Sequence, residues 1–156
     1  MNEIDIAKAA SECIATRVRH LSRIITRVYD ESLRPLGITS SQYILLAQIA
    51  AHDGISCVDI TNSLDVDKST LSRNFSRLIK MQFVTMGRHR GRYPRELGLT
   101  NAGKHLLNEA FPLWQDAQRR SLETMGQESL SLLDLLLEKA NAISPVVVLA
   151  KRKVRA

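Results

Sequence analysis

Apolar residues recur along this chain at spacings of three and four, with polar residues between them, and that rhythm predicts a succession of amphipathic helices. Ile14, Val18, Leu21, Ile25 and Val28 form the first seam, flanked by Arg17, Arg19, Arg23 and Arg27, and predict a helix over roughly residues 10–34. The Arg34-Pro35 step and Gly37 end it, because the residue before a proline is pushed out of the α region. Thr39 and Gln42 have the spacing of a capping box, so a second helix opens at Ser40 and runs to Ala51 through the mostly apolar Ile44, Leu45, Ala47, Gln48 and Ile49. His52-Asp53-Gly54 ends it.

Residues 55–100 are the most informative stretch. Ser56 as N-cap with Asp59 at N3 starts a short helix through Val58–Ser63, Leu64-Asp65-Val66 allows only a turn, and Asp67 caps a second helix running to about Lys80. Leu71, Phe75 and Leu78 share one face of that second helix. Ser69, Arg73, Ser76 and Lys80 point the opposite way, with Ser72 and Arg77 on the flanks. Short hydroxyls and long cations on one exposed face suit base edges and phosphates in a major groove, which is the pattern of a helix-turn-helix with its recognition helix at 67–80. Phe83–Gly87 and Arg95–Leu99 read as the strands of a hairpin, with Arg88–Pro94 as a long tip.

Thr100 caps a long helix containing Leu106, Leu107, Phe111, Leu113, Trp114 and Ala117, which Pro112 is expected to kink or to deprive of one bond in its hydrogen-bond ladder. After Gly126, Leu130, Leu133, Leu137 and Ala140 make a last seam, stopped at Ser144-Pro145. The fold class is therefore mainly α with a small β-hairpin wing: a winged helix-turn-helix plus a helical dimerisation region. The expected division is a DNA-binding domain over 39–99, a dimerisation region from 1–38 and 100–145, and a basic tail over 146–156. The central module reads as a closed unit, so the first and last seams need a partner, and a second copy of the chain is the economical one.

Charge sharpens this picture. Between Val66 and Thr100 eight cations face two anions, a balance of +6, which equals the formal net charge of all 156 residues. Basic charge confined to the segment that already reads as a helix-turn-helix is the footprint of a polyanion binder. Apolar content is 44% but aromatics only 4%, which favours an aliphatic helical core over a β-sandwich. No apolar run reaches the length of a membrane span and there is no signal-peptide core, so no membrane association is expected. The two cysteines, Cys13 and Cys57, lie far apart without metal-type spacing, which suits a reducing cytoplasm. There is no P-loop, GxGxxG, GxSxG or HExxH motif, so an enzyme is not expected, nor a cofactor.

Three ordered motifs carry a family resemblance. Tyr29-Asp30-Glu31-x-Leu33-x-Pro35-Leu36-Gly37-Ile38-Thr39-x-x-Gln42 resembles the first-to-second helix junction of the multiple-antibiotic-resistance regulator (MarR) family. Asp67-Lys68-Ser69-Thr70-Leu71-Ser72-Arg73 is similar to the start of that family's recognition helix, and Leu99-Thr100-x-x-Gly103 to its wing-to-helix junction. The resemblance spans residues 13–127 and implies a bacterial, dimeric winged-helix repressor or activator, with a ligand- or stress-responsive repressor as the expected case, acting on a pseudo-palindromic operator in double-stranded DNA. One position departs: Arg92 fills the family's wing arginine, but Gly91 stands where an aspartate usually braces it.

The expected DNA contacts are Lys68, Ser69, Thr70, Ser72, Arg73, Ser76 and Arg77 on the helix, with Arg88, Arg90 and Arg92 on the wing. The resemblance also places an effector between the dimer helices and the DNA-binding lobe. His20, Tyr43 and Trp114 are the candidates for holding a small aromatic or acidic molecule there, since each joins an aromatic surface to a polar atom. Cys13 lies close to the position where oxidant-sensing members keep a reactive thiol, against the commoner role of a packed cysteine. His105 and Glu109 are four apart on one helix, but no Cys or His pair joins them, so no metal is expected. A winged-helix module whose basic face meets an acidic protein is the alternative function; the hydroxyls around Arg73 distinguish the two, since an acid-binding patch has no need of them.

Overall fold

Residue 39 is where the two halves of the molecule are fastened. In the computed structural model, which describes residues 3–52, 54–64, 68–87 and 96–143, the Thr39 side chain accepts from the Gln42 amide and the Gln42 side chain accepts from the Thr39 amide. This reciprocal capping box satisfies donors that the first helical turn leaves free. Asp30 Oδ1 then accepts from both the Ser40 amide, at 2.7 Å, and the Ser40 hydroxyl, at 2.6 Å, tying the end of the preceding helix to the start of this one.

The helices are α1 (Glu3–Glu12), α2 (Ile14–Leu33), α3 (Ser40–Ala51), α4 (Cys57–Leu64), α5 (Lys68–Lys80), α6 (Asn101–Met125) and α7 (Ser129–Ile143). Strands β1 (Val84–Met86) and β2 (Leu97–Leu99) pair antiparallel, with Val84 opposite Leu99 and Met86 opposite Leu97. A bridge between Ser56 and Glu96, and a bond from the Leu97 amide to the Ile55 carbonyl, set the chain before α4 beside β2 as well. Arg34–Leu36 forms a 3-10 turn closed by Gly37 at φ +68°, the left-handed conformation that glycine adopts without strain.

Several expectations need correcting. The single helix over 10–34 is two, broken at Cys13, whose ψ of 116° is extended. A 3.6-residue pattern is blind to such a break because one extended residue changes the helix axis and not the side-chain alphabet. The strands are each shorter than the sequence suggests, at three residues. α6 is helical throughout with Pro112 inside it, so the missing N–H removes one bond of the ladder without ending the helix. The proline is exposed, and the carbonyl that loses its intrahelical partner there stays within reach of water. The Asp65-Val66 turn, the Asp67 cap, the Arg88–Pro94 tip and the 146–156 tail lie outside the described residues.

The winged module is not a closed unit. Its core (Ile38, Tyr43, Leu45, Leu46, Ile49, Ile60, Leu71, Phe75, Leu78, Val84 and Leu97) is completed by Leu33 from α2 and by Leu106 and Ala110 from α6. The flanking helices are thus partly core-forming, α2 lying against α6. Beyond that contact the apolar seams of α2 and α7 stand open: Ile14 is 77% exposed and Leu137 63% exposed. No described helix is long and apolar enough to cross a membrane.

Leu78, with no exposure, lies where α5 meets the rest of the core. Leu78→Ala is expected to cost about 2–5 kcal/mol, the usual range for a leucine cavity, measured by urea unfolding at fixed protein concentration. A loss below about 1 kcal/mol, the scale of ordinary surface or mild changes, would contradict the assigned packing of α5.

Candidate nucleic-acid interface

α5 presents its two faces as the sequence implies. Leu71, Phe75 and Leu78 are buried, while Lys68, Ser69, Ser72, Arg73, Ser76 and Arg77 are exposed and Thr70 is half-buried. Burial of one stripe leaves the opposite one no choice but solvent or a ligand. Ser56 and Asp59 cap α4 reciprocally: the Ser56 amide and hydroxyl donate to Asp59 Oδ2, and the Asp59 amide donates to Ser56 Oγ. That cap anchors the first helix of the pair beside β2, where Ser56 also bridges Glu96.

Arg73 is held against its own helix. Its Nε donates to the Ser69 carbonyl and its Nη2 to the Ser69 hydroxyl, both at 3.2 Å. The guanidinium therefore lies along the exposed face, with donors left over for a further acceptor. Arg77 and Lys80 add positive charge in the last turn, which also suits the negative end of the helix dipole. Arg88, Arg90 and Arg92 lie outside the described residues.

Residues 36–92, from the 3-10 turn into the wing, match the family model of the MarR family. Over those residues the winged helix is similar to the MarR family. The structure is also similar to solved transcriptional regulators along most of its length. The M. tuberculosis transcriptional regulator MosR is 27% identical with a TM-score of 0.74, the match covering 84% of this chain and 97% of that one. MosR in complex with DNA is 25% identical with a TM-score of 0.75, over 85% of this chain and 99% of that one. A mutant of E. coli MarR complexed with operator DNA has a TM-score of 0.73 over 85% of this chain and 96% of that one; at 22% identity it speaks for the fold alone. No curated protein matches the sequence.

Around this winged helix, the three expected effector residues separate. Tyr43 and Trp114 stack with ring centroids 5.9 Å apart and planes 18° apart. His20 stands exposed on α2 and is not part of that stack. Phe111 is, lying 6.1 Å from Trp114 at 15°. The sequence did not mark it as an effector residue, although its spacing of three from Trp114 on one helix is the signal that finds it. Burial raises the Tyr43 hydroxyl above the usual phenol range. A second feature is an apolar cleft of about 260 Å³ between α2, α6 and α7, walled by Val18, Leu21, Ile25, Leu122 and Leu133. At its edge the Tyr29 hydroxyl donates to Gln118 Oε1. Among the described residues no cluster of His, Cys, Asp and Glu is arranged to hold a metal ion, and His105 and Glu109 are an exposed pair 3.6 Å apart.

The two thiols differ in environment. Cys13 occupies the N-cap position of α2, and hydrogen bonding from the Thr16 side chain and then the Thr16 amide holds its pKa below the usual thiol value. Burial pushes the Cys57 thiol up. Since the thiolate is the nucleophile, Cys13 is expected to be alkylated by iodoacetamide before Cys57 at neutral pH. Thr16→Val should move the Cys13 rate profile to higher pH. Peptide mass spectrometry over a pH series checks both, and faster labelling of Cys57 would contradict the assignment.

Proposed function

We propose that this protein is a dimeric, sequence-specific DNA-binding transcriptional regulator, working in the cytoplasm as a ligand- or stress-responsive repressor. The observation that carries the reading is the α5 surface: hydroxyls and cations exposed together on a helix whose other face is locked into the core. The DNA-bound structures of MosR and of MarR are similar in fold, which supports the same docking of α5 in a major groove. Lys68, Ser69, Thr70, Ser72, Arg73, Ser76 and Arg77 meet the groove and its phosphates, and Arg88, Arg90 and Arg92 meet phosphates or the minor groove from the wing. Residues 39–99 act as the DNA-binding lobe, and 1–38 with 100–145 as the dimerisation region. The Tyr43–Trp114 stack, with His20 on a neighbouring helix, is the place for a small aromatic or acidic effector, and Cys13 is a second route by which an oxidant could act.

Reading and holding should separate on DNA. Arg73→Ala is expected to cost about 1–3 kcal/mol at the operator and to relax preference at one base pair per half-site. Arg90→Ala should weaken operator and random DNA alike, and flatten the slope of log K against log salt by about one unit for each phosphate left without its cation. Paired salt titrations on the protein's own upstream DNA and on random duplex decide. Equal weakening on both from Arg73→Ala would leave only a generic basic surface, the behaviour expected of a protein-interaction module.

Dimerisation follows from the open seams of α2 and α7, whose exposed side chains include Val18, Leu136 and Leu137. Leu133→Asp with Leu137→Asp should give monomer or unfolded chain in analytical ultracentrifugation, because two carboxylates would be stranded in an apolar interface. A wild-type monomer at micromolar concentration would refute the dimer.

A further inference from the structure

The end of the recognition helix and the start of α6 are built as one joint. After Lys80 the chain closes a Schellman motif: the Phe83 amide donates to the Leu78 carbonyl at 3.0 Å and the Gln82 amide to the Ile79 carbonyl at 2.9 Å. Gln82 sits at φ +61°, where glycine is the usual residue, so the turn is held there by something outside itself. That something is Thr100. Its hydroxyl donates to the Gln82 carbonyl at 2.7 Å, and its amide donates to the Phe83 carbonyl at 3.1 Å. The same hydroxyl oxygen accepts from the Gly103 amide at 2.9 Å, as the N-cap of α6. One side chain therefore caps α6 and clamps the turn that caps α5.

Gly103 makes the approach close enough. A Cβ at this position would lie 2.0 Å from the Phe83 carbonyl oxygen and 3.0 Å from its carbon, both backbone atoms that cannot swing aside. From this joint α6 runs unbroken for 25 residues, about 37 Å at 1.5 Å per residue, lying against α2. A small rotation at the joint would be carried to the far end of a rod of that length.

We infer that Thr100 and Gly103 are positioning residues that lock the recognition helix to α6, and so set the spacing between half-sites that the dimer accepts. The inference rests on the regulator reading above. A one-base-pair insertion between half-sites turns one of them by about 34° and moves it about 3.4 Å. A rigid joint resists that change and a loose one follows it. Thr100→Val removes the hydroxyl clamp and the α6 cap together, while Thr100→Ser keeps both. Gly103→Ala forces the two backbones apart.

The test has two arms. Without DNA, spin labels on Ser76→Cys and Glu123→Cys in a Cys13→Ser, Cys57→Ser background report the α5–α6 distance by pulsed electron resonance, with excess unlabelled chain so that one protomer per dimer is labelled. The distribution should be narrow in the parent and in Thr100→Ser, and broad or displaced in Thr100→Val and Gly103→Ala. With DNA, the parent should bind the lengthened operator roughly tenfold or more weakly, the scale of one mismatched base pair, and Thr100→Val should be weakened far less while holding random DNA as before. An unchanged distance distribution in Thr100→Val overturns the inference, as does a broadened one with the spacing penalty intact. If Gly103→Ala does not fold, the Thr100 pair decides alone. A parent protein with no operator preference would defeat the regulator reading, and the distance arm would still decide the joint.

Discussion

Everything else in this molecule depends on the burial of one stripe of α5. Leu71, Phe75 and Leu78 sit in a core shared with α2, α3 and α6, and it is this contact that presents Ser69, Ser72, Arg73 and Ser76 outward on a fixed surface. A basic helix without such an anchor would meet DNA in any rotation about its own axis, and its affinity would carry no sequence information. With the anchor, rotation is set by the packed leucines and phenylalanine, and position along the axis by the turn that closes the C-terminal end.

The same economy runs through the joints. Asp30 fastens α2 to the first turn of α3, Ser56 and Asp59 fasten α4 beside β2, and Thr100 fastens the end of α5 to the start of α6. Each uses a short oxygen-bearing side chain at a helix end, where free backbone donors and acceptors would otherwise have to find water. The winged module and the long helices are therefore continuous in structure as well as in chain. Leu33, Leu106 and Ala110 complete the core of the former from within the latter.

That continuity gives the apolar surface of α2 and α7 its meaning. α2 already packs within the protomer, and the two helices together still expose Val18, Ile24, Leu136 and Ile143. So many exposed apolar side chains on two helices mark an interaction site. On the proposed regulator reading, a second copy of the chain covers it without any further partner.

Much of this was legible in the amino-acid order. The capping residues at 39, 56 and 100, the buried and exposed faces of α5, and the concentration of positive charge between residues 66 and 100 all follow from local rules: hydroxyl or carboxyl groups at helix starts, a 3.6-residue period, like charges in one segment. Tertiary structure decided what local rules cannot. It broke the first helix at Cys13, carried α6 through Pro112, and drew Leu33 and Leu106 into the core of the winged module. It stacked Trp114 with both Tyr43 and Phe111 and left His20 outside. It also brought the Phe83 carbonyl so close to Gly103 that only glycine fits. Sequence periodicity reports which side of an element avoids water, but which atoms meet across elements far apart in the chain is settled only when the backbones pack.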